Sequence, residues 1–288
     1  MSSFRVAYVD GRYQRADLAH VAVEDRGFQL ADGVYEVAPV ANGRIIDFKP
    51  HFDRFARSLG ELSIQAPVPP AALNVICREV VERNRIVDGI LYVQASRGAA
   101  PRDHGFPKQP VRPTLVASAK WLSWPSDAGL DSGAAIITTP DLRWGRCDIK
   151  STALLANVLA KQKAREAGAF EAWFVRPDGT ITEGASTNAW MVDADGRLLT
   201  RPLGPEILPG ITRATVLRLA RQAGYEVIER PFRLDELSNA REAFLTSTTS
   251  LVRAVVSVDG RPIANGHPGE IASRLRALCL THYRAPAS

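Results

Sequence analysis

Lys150 occupies an unusual place for a lysine, between an extended segment and a helix predicted from about residue 151 to 167 in "RCDIKSTALL". A helix N-terminus carries roughly half a positive charge, so it disfavours an ammonium group and favours a neutral amine. Unpaired burial acts in the same direction. A neutral lysine amine is the nucleophile that Schiff-base chemistry requires. The alternative is a lysine whose ammonium group reaches water or pairs with Asp148.

Glu183 lies in "TEGASTN" (residues 182–188), a tight connection of small residues between two apolar strands. Its carboxylate can therefore point into a cleft, where a buried negative charge needs a positive partner. The protonated nitrogen of a pyridine ring is one such partner. The alternative is a solvated glutamate in a turn.

Two further segments can bind an anion. In "LPGITR" (residues 208–213), Gly210 precedes a predicted helix, so the amides of Ile211 and Thr212 face outward at its N-terminus and suit a phosphate. "TSTTS" (residues 246–250) offers consecutive hydroxyl groups after an apolar strand and can donate to the same anion. The alternatives are a threonine N-cap and an ordinary polar turn.

A possible carboxylate-binding pair lies in "RGAAPRDHGF" (residues 97–106), where Arg102 and His104 are two residues apart. An arginine can bind a carboxylate bidentately, and a histidine can assist it. Tyr35 in "DGVYEV" and Arg54 in "HFDRF" lie on a predicted strand and helix. Taken singly, a surface loop, a core tyrosine and a surface arginine explain them. Together with the other segments, they supply everything that a pyridoxal phosphate enzyme acting on an amino acid requires.

The remaining sequence must position these residues, and its pattern predicts an α+β fold. The predicted strands occur in runs, with hairpin turns at Asp10-Gly11 and Asn42-Gly43, rather than alternating with helices. This favours two α+β domains over a doubly wound sheet. The predicted parts are a small N-terminal domain at residues 1–120, a linker at 121–129, and a larger C-terminal domain at 130–288 that carries Lys150.

Composition excludes several other classes of protein. The 288 residues are 45% hydrophobic and 23% charged, and the net charge of +5 comes without a basic run, which disfavours nucleic-acid binding. No apolar run is long enough to span a bilayer, and the N-terminus lacks the apolar core of a signal peptide, so a cytoplasmic location is expected. Dispersed cysteines and the lack of HExxH spacing predict neither disulfides nor a metal site.

The sequence resembles the class IV aminotransferases, the fold type IV enzymes that use pyridoxal 5′-phosphate, and among them the D-amino-acid aminotransferases. The resemblance runs nearly from end to end and implies a two-domain α+β fold with the cofactor between the domains. It rests on segments in the family's order and at approximately its spacing: "EDRGFQLADGVYEV", "HFDRF", "RGAAPRDHGF", "RWGRCDIKS", "TEGASTN", "LPGITR" and "TSTTS".

The resemblance implies a role for each matching residue. Lys150 would hold the cofactor as a Schiff base and move the proton at the substrate Cα, and Glu183 would pair with the pyridine nitrogen. Leu208 would pack beneath the ring. The cofactor phosphate would be bound by Arg54, the amides of Ile211 and Thr212, and Thr248. The substrate carboxylate would be bound by Tyr35, Thr249, Arg102 and His104, the last two reaching in from the partner subunit of a homodimer.

The activity that the resemblance implies is transfer of the amino group of a D-amino acid such as D-alanine to 2-oxoglutarate, giving a 2-oxo acid and D-glutamate. Alternatives within the fold are a branched-chain L-amino-acid transaminase, an (R)-amine transaminase and an aminodeoxychorismate lyase. The Arg-x-His pair at 102–104 favours the D-amino-acid enzyme. Ala31, Ala185 and Leu251 stand where Gly, Ser and an acidic residue are common in the family. We expect the two alanines to matter little and Leu251 to alter the outer cleft.

Overall fold

The computed structural model describes residues 5–124 and 132–285, and the chain divides into two compact units. Unit 1 comprises Met1–Trp124 and Ile149–Ala153, and unit 2 comprises Pro125–Asp148 and Leu154–Ser288. The predicted linker at 121–129 overlaps the end of a strand at Trp121, and its residues 125–129 lie outside the described part of the chain. No helix of the described residues is both long and apolar enough to cross a membrane.

Unit 1 is built on an antiparallel sheet. Over residues 5–124 its order is β2-β1-β6-β5-β3-β4. The predicted hairpin turns join β1 to β2 and β3 to β4 and are confirmed, since Asp10, Gly11, Asn42 and Gly43 all have positive φ. The strands are β1 (Val6–Val9), β2 (Arg12–Arg15), β3 (Gly33–Ala41), β4 (Arg44–Ile45), β5 (Gly89–Ser96) and β6 (Thr114–Trp121). The helices are α1 (Arg26–Leu30), α2 (Phe48–Glu61) and α3 (Pro70–Arg83), with a 3₁₀ turn at Ala16–Leu18.

The core of unit 1 lies between the sheet and helices α2 and α3. Phe55 and Leu59 of α2 and Val80 of α3 are buried against Leu91 of β5, at the helical spacing that the sequence predicts. Cys77 belongs to the same cluster, and burial raises the pKa of its thiol to about 12. Its role is therefore packing.

The segment Ile149–Ala153 belongs to unit 1 because its backbone pairs with β3. The amide of Tyr35 donates to the carbonyl of Lys150 at 3.0 Å, and the amide of Thr152 donates to the carbonyl of Gly33 at 2.9 Å. Ser151 forms a bridge with Val34. Lys150 thus lies in the smaller, N-terminal unit by its contacts, and its predicted place in the C-terminal domain is corrected.

Unit 2 contains a mixed sheet and three helices among residues 132–285. The sheet order is β12-β11-β10-β13-β14-β7-β8-β9, with β15 paired to β14. The strands are β7 (Ala134–Pro140), β8 (Glu171–Val175), β9 (Ile181–Gly184), β10 (Asn188–Val192), β11 (Leu198–Thr200), β12 (Val227–Glu229), β13 (Glu242–Ser247), β14 (Leu251–Val258) and β15 (Arg261–Pro262). The helices are α4 (Leu155–Glu166), α5 (Ile211–Gln222) and α6 (Glu270–Arg284), with a 3₁₀ turn at Asp235–Asn239.

Helix α4 begins later than the sequence predicts, and this changes the explanation for Lys150. The helix starts at Leu155 rather than near residue 151. The preceding residues cannot be helical because their amides and carbonyls bond to β3. Lys150 therefore does not lie at a helix N-terminus, and the argument from the helix dipole is wrong.

The three departures from the family pattern have different structural consequences. Ala31 ends α1 with φ of 55°, a left-handed conformation that costs about 1 kcal/mol for a residue other than glycine. Leu251 also has φ of 55°, and its side chain is completely buried where β14 begins. It therefore packs in the core of unit 2 and does not alter an outer cleft. Ala185 is buried, and its amide bonds to the carbonyl of Ala172.

Candidate active site

The amine of Lys150 lies against an aromatic wall in unit 1. Its Nζ is 4.2 Å from the centroid of the Tyr35 ring, and within residues 5–124 and 132–285 no carboxylate pairs with it. Asp148, the alternative partner, is bound instead by Arg146 at 2.9 and 3.0 Å. The half-buried Lys150 is therefore held by backbone pairing and a ring contact, and its amine remains available for chemistry.

A second tyrosine, Tyr92, extends this wall. The rings of Tyr35 and Tyr92 stack with centroids 5.7 Å apart, and the Tyr92 hydroxyl donates to Gln94 at 2.5 Å. Burial raises the pKa of Tyr92 to about 12, so the phenol stays protonated at neutral pH. The pattern within β5 gave no sign of this contact, because it depends on the antiparallel register that pairs Tyr35 with Gln94.

Arg54, predicted to bind a phosphate, is buried beside a carboxylate. Its Nε and Nη2 donate to the two oxygens of Glu36 at 2.7 and 2.8 Å, and the same carboxylate contacts Nδ1 of His51 at 2.8 Å. One acidic side chain of β3 and two basic side chains of α2 thus form a closed, charge-assisted cluster. Its consequence is a guanidinium group with a fixed orientation on α2.

The ionisation of this cluster follows from burial and charge. Burial alone would raise the pKa of Glu36, but the charge and hydrogen bonds of Arg54 outweigh it and lower that pKa to about 2. Burial lowers the pKa of His51, and the negative Glu36 only partly offsets the effect. At neutral pH the cluster therefore contains one carboxylate, one guanidinium and a neutral imidazole.

The loop at residues 97–106 presents Arg102 and His104 to solvent. Both are exposed, and neither side chain has a hydrogen bond, ion pair or ring contact among the residues that the structure describes. The structure does not bring them together with Lys150 or Tyr35 by any contact. Their guanidinium and imidazole groups are free to bind a ligand.

Unit 2 holds the carboxylate of Glu183 with several donors. Arg143 Nη1 donates to its Oε1, and Asn188 Nδ2 donates to its Oε2 at 2.9 Å. The backbone amide of Leu208 donates to the same Oε2 at 3.1 Å. Glu183 is 6% exposed and lies on β9, so the alternative of a solvated turn glutamate is wrong. A buried carboxylate with this many donors is held ionised and in one orientation.

Arg143 is the residue of this group that the sequence did not reveal. Its side chain is 4% exposed, forms two hydrogen bonds with Asp141, donates to the carbonyl of Glu206 and lies over the ring of Phe174. Burial alone would lower its pKa, but the bond to Asp141 and the charge of Glu183 raise it above the ordinary value. The one local signal is an aspartate two residues earlier in "DLRWG", which is common on protein surfaces.

The N-terminus of α5 lies close to Glu183 through Asn188. The first backbone bond of α5 runs from Ala214 to Gly210, so the amides of Ile211 and Thr212 have no acceptor within the helix. Gly210 is the N-cap, and a Cβ there would clash with Oδ1 of Asn188. The glycine thus permits close approach, and Thr212 is not the N-cap. The helix end can accept an anion.

The segment Thr246–Ser250 forms the turn between β13 and β14. Asn188 pairs with Thr246 across β10 and β13, which places this turn at the same end of the sheet as the start of α5. Thr246 Oγ1 accepts from the buried indole of Trp190, and Ser247 Oγ accepts from the amide of Ser250. Thr248 is half-buried and Thr249 is exposed. Unit 2 therefore brings together an ionised carboxylate, helix amides and hydroxyl groups.

The sequence matches the family model "Amino-transferase class IV" over residues 33–258. This span includes Lys150, Glu183 and the start of α5. The chain belongs to the class IV aminotransferases.

Curated relatives agree with this assignment to an aminotransferase family. The chain is 38% identical to a D-alanine aminotransferase of Staphylococcus aureus (strain MSSA476) over 269 residues, covering 93% of this chain and 94% of the relative. It is 40% identical to a D-alanine aminotransferase of Bacillus licheniformis over 267 residues, which covers 93% of each chain.

Solved aminotransferase structures share the fold. A branched-chain amino acid aminotransferase of T.th., with pyridoxamine 5′-phosphate, superimposes with a TM-score of 0.88 at 28% identity and covers 98% of this chain and 96% of its own. A branched-chain enzyme of Escherichia coli gives 0.88 at 22% identity, over 99% and 97% of the two chains. The two-domain α+β fold predicted from the sequence is confirmed.

The buried cluster of Glu36 and His51 predicts how the stability of this aminotransferase depends on pH. The pKa of His51 lies below its ordinary 6.5, so its contribution is complete above about pH 6.5 and is lost as the pH falls and the unfolded chain binds a proton. Glu36 has a pKa of about 2 instead of 4.5, so it contributes on the order of 3 kcal/mol above pH 4.5, lost between pH 4.5 and 2.

A His51→Asn variant separates the two contributions, because asparagine can still donate to Glu36 but does not titrate. We expect the urea midpoint of the variant to change less than that of the wild type between about pH 7 and pH 5. Asp53→Asn, which alters an exposed pair with Lys49, is the matched control and should keep the wild-type slope. Equal slopes in His51→Asn and the wild type would show that His51 does not titrate on unfolding.

Proposed function

We propose that the protein is a D-amino-acid transaminase that transfers the amino group of a D-alanine-type donor to 2-oxoglutarate. Family membership establishes aminotransfer, and the similarity to D-alanine aminotransferases over 93% of the chain supports the D-amino acid. The observation that carries the choice in this structure is the exposed, unpartnered pair of Arg102 and His104. Such a pair can bind the carboxylate that an amino acid has and a simple amine lacks.

The residues fit pyridoxal 5′-phosphate, the cofactor of class IV aminotransferases. Bound to the protein, the cofactor supplies an electron sink for the negative charge that develops on the substrate Cα. Lys150 provides an amine without an ion-pair partner, which can attach the cofactor and then move the proton at the Cα. Glu183 provides a fixed carboxylate that holds a proton at the pyridine nitrogen.

Further residues of the chain can bind the rest of the cofactor and the substrate. The amides of Ile211 and Thr212 and the hydroxyl of Thr248 suit the phosphate. Arg54 can add N–H groups that do not face Glu36, since a guanidinium has five and Glu36 accepts through two nitrogens. Leu208 is placed beside Glu183 by its own amide and can pack beneath the ring. The substrate carboxylate falls to Tyr35, Thr249, Arg102 and His104.

A branched-chain L-amino-acid transaminase is the second candidate, because branched-chain enzymes superimpose with TM-scores of 0.88. Backbone similarity at 28% identity does not select a substrate, since one fold hosts several specificities. The D-amino-acid interpretation rests on higher sequence identity and on the Arg-x-His loop. The cytoplasmic location stays a prediction from the sequence.

Absorption titration distinguishes the two candidate substrates. We expect D-alanine to change the absorption band of the bound cofactor, and kcat/KM for D-alanine to exceed that for L-leucine by at least about 100-fold. The matched control is L-alanine, which has the same side chain and the opposite configuration. A band that responds to L-leucine and not to D-alanine would overturn the D-amino-acid proposal and favour the branched-chain enzyme.

Lys150 can be tested against the two lysines of α4. We expect Lys150→Ala to bind the cofactor without a covalent link and to lose at least about 1000-fold in kcat, because it lacks the proton-transfer group. Borohydride reduction followed by peptide mass analysis should place the cofactor on Lys150 in the wild type. Lys163→Ala, at an exposed position of α4, is the control and should keep full activity. A reduced label on Lys161 or Lys163 would contradict the assignment.

We propose that the enzyme is a homodimer, with Arg102 and His104 acting in the site of the partner subunit. An apolar patch supports this proposal: Val23, Phe28 and Phe106 are 74%, 71% and 62% exposed. The patch adjoins the loop at 97–106, because the amide of Ala100 donates to the carbonyl of Glu24. Neighbouring exposed apolar residues of this kind mark protein interaction surfaces.

Sedimentation velocity tests the dimer. We expect the wild type to have twice the 31.4 kDa mass of one chain, and Val23→Asp to shift toward the single-chain mass and lose activity. Val75→Asp places the same charge at a 60% exposed valine of α3 and should leave the mass unchanged. A fully active wild type with the mass of one chain would exclude a partner contribution.

A further inference from the structure

Asp32 lies between two arginines at the base of the loop at residues 97–106. Its Oδ2 accepts from Nε of Arg26 at 2.8 Å and from Nε of Arg97 at 2.7 Å, and its Oδ1 accepts from Nη2 of Arg97 at 3.0 Å. The side chains of Asp32, Arg26 and Arg97 are 12%, 3% and 10% exposed. Burial alone would raise the pKa of Asp32, but the hydrogen bonds from Arg97 and Arg26 lower it. The group therefore stays ionised near neutral pH.

Each arginine of this group also contacts the loop itself. Nη1 of Arg26 donates to the backbone carbonyl of Asp103 at 2.7 Å, and Asp103 is the residue between Arg102 and His104. The guanidinium of Arg97 lies over the ring of Phe106, with Cζ 3.7 Å from the centroid. Arg26 thus holds the centre of the loop, and Arg97 holds the end that follows His104.

Backbone bonds fix the beginning of the loop in the same way. The amide of Arg26 donates to the carbonyl of Gly98 at 2.9 Å, and the amide of Arg97 donates to the carbonyl of Asp32 at 3.0 Å. Arg97 further donates to the carbonyls of Leu62 and Ser63, which tie it to the end of α2. The loop is therefore attached at its beginning, centre and end, while the side chains of Arg102 and His104 stay free.

The use of a buried arginine on a loop carbonyl calls for an explanation. A guanidinium that is 3% exposed is costly to desolvate, and Asp32 balances only one of the two positive charges. An exposed loop without a binding role could satisfy the carbonyl of Asp103 with water at no such cost. A loop that must present two side chains in one geometry gains from the fixed carbonyl between them.

We infer that Arg26, Asp32 and Arg97 are positioning residues that order the loop so that Arg102 and His104 meet the substrate carboxylate in a fixed geometry. This inference rests on the proposed function, because it assigns the carboxylate to Arg102 and His104. Ordering a flexible backbone costs about 1–2 kcal/mol per residue, which a mobile loop would have to meet on binding. A loop ordered beforehand binds the carboxylate more tightly.

The kinetics of an Arg26→Gln variant test this role. We expect KM for D-alanine and for 2-oxoglutarate, which both have an α-carboxylate, to rise about 10-fold, while kcat stays within about threefold. The dissociation constant of propionate, an unreactive carboxylate, should rise by a similar factor in a titration of the holoenzyme. Cofactor affinity should not change, since neither arginine is assigned to the cofactor.

Two further variants separate positioning from folding. Arg83→Gln removes an exposed arginine of α3 that pairs with Glu79, and it should leave every constant unchanged. Phe106→Ala removes only the exposed ring on Arg97, so it should fold normally and raise both KM and the propionate constant about threefold. Arg26→Lys restores the charge and one donor and should recover part of the loss.

The outcomes distinguish this inference from the proposed function. If the wild type does not use D-alanine, the proposed function fails, whatever the variants do. If the wild type uses D-alanine but propionate binds folded Arg26→Gln and Phe106→Ala as tightly as it binds the wild type, the positioning role is wrong. A parallel loss of kcat and cofactor affinity with unchanged propionate binding would also overturn it, because it indicates a general structural defect.

Discussion

The backbone pairing between β3 and residues 149–153 is the constraint on which the position of Lys150 depends. Strand β4 pairs only with Val40 and Ala41, so it leaves the beginning of β3 without a neighbour on that side. Unpaired amides and carbonyls of a buried strand are costly, and the segment that contains Lys150 bonds to them. The lysine is therefore held by its main chain, and its side chain needs no ion pair to stay in place.

Buried carboxylates position the cationic groups in both units. Asp32 orients Arg26 and Arg97, Glu36 orients Arg54, and Asp141 orients Arg143 on Glu183. Each pair is closely hydrogen-bonded, as a buried ion pair must be if the attraction is to offset desolvation. An arginine held in this way has few accessible rotamers, so it can present its remaining N–H groups in one direction. The fold thus produces directional sites from side chains that are flexible in water.

The sequence predicted the chemistry of the site better than the reasons for its geometry. Strand runs, two hairpin turns and the start of α5 follow local patterns, and all are present in the structure. The start of α4 was misplaced because local apolar spacing does not register that residues 149–153 pair with a strand more than a hundred residues earlier. Local helix signals give way when tertiary hydrogen bonds satisfy the backbone differently.

The positioning residues escaped the sequence reasoning for a related reason. Arg143 and Glu183 are 40 residues apart, and Arg26 and Asp103 are 77 apart. Nothing in the composition around an arginine indicates which distant oxygen it will contact. The residues that could be predicted are those whose chemistry is readable from type and local context, such as Lys150 and the glycine before α5. Those that could not be predicted act through contacts that only the folded chain creates.

Substrate choice in this fold must therefore depend on a small number of side chains. The chain superimposes on branched-chain enzymes with a TM-score of 0.88, although its sequence is more similar to D-alanine enzymes. The backbone that carries Lys150 and Glu183 is common to both groups, so it supports aminotransfer without selecting the donor. The loop at 97–106 differs from that backbone in having exposed cationic side chains on a tethered main chain. Selectivity for a carboxylate can arise there without any change in the sheets, because the tether fixes the loop while its side chains remain free to vary.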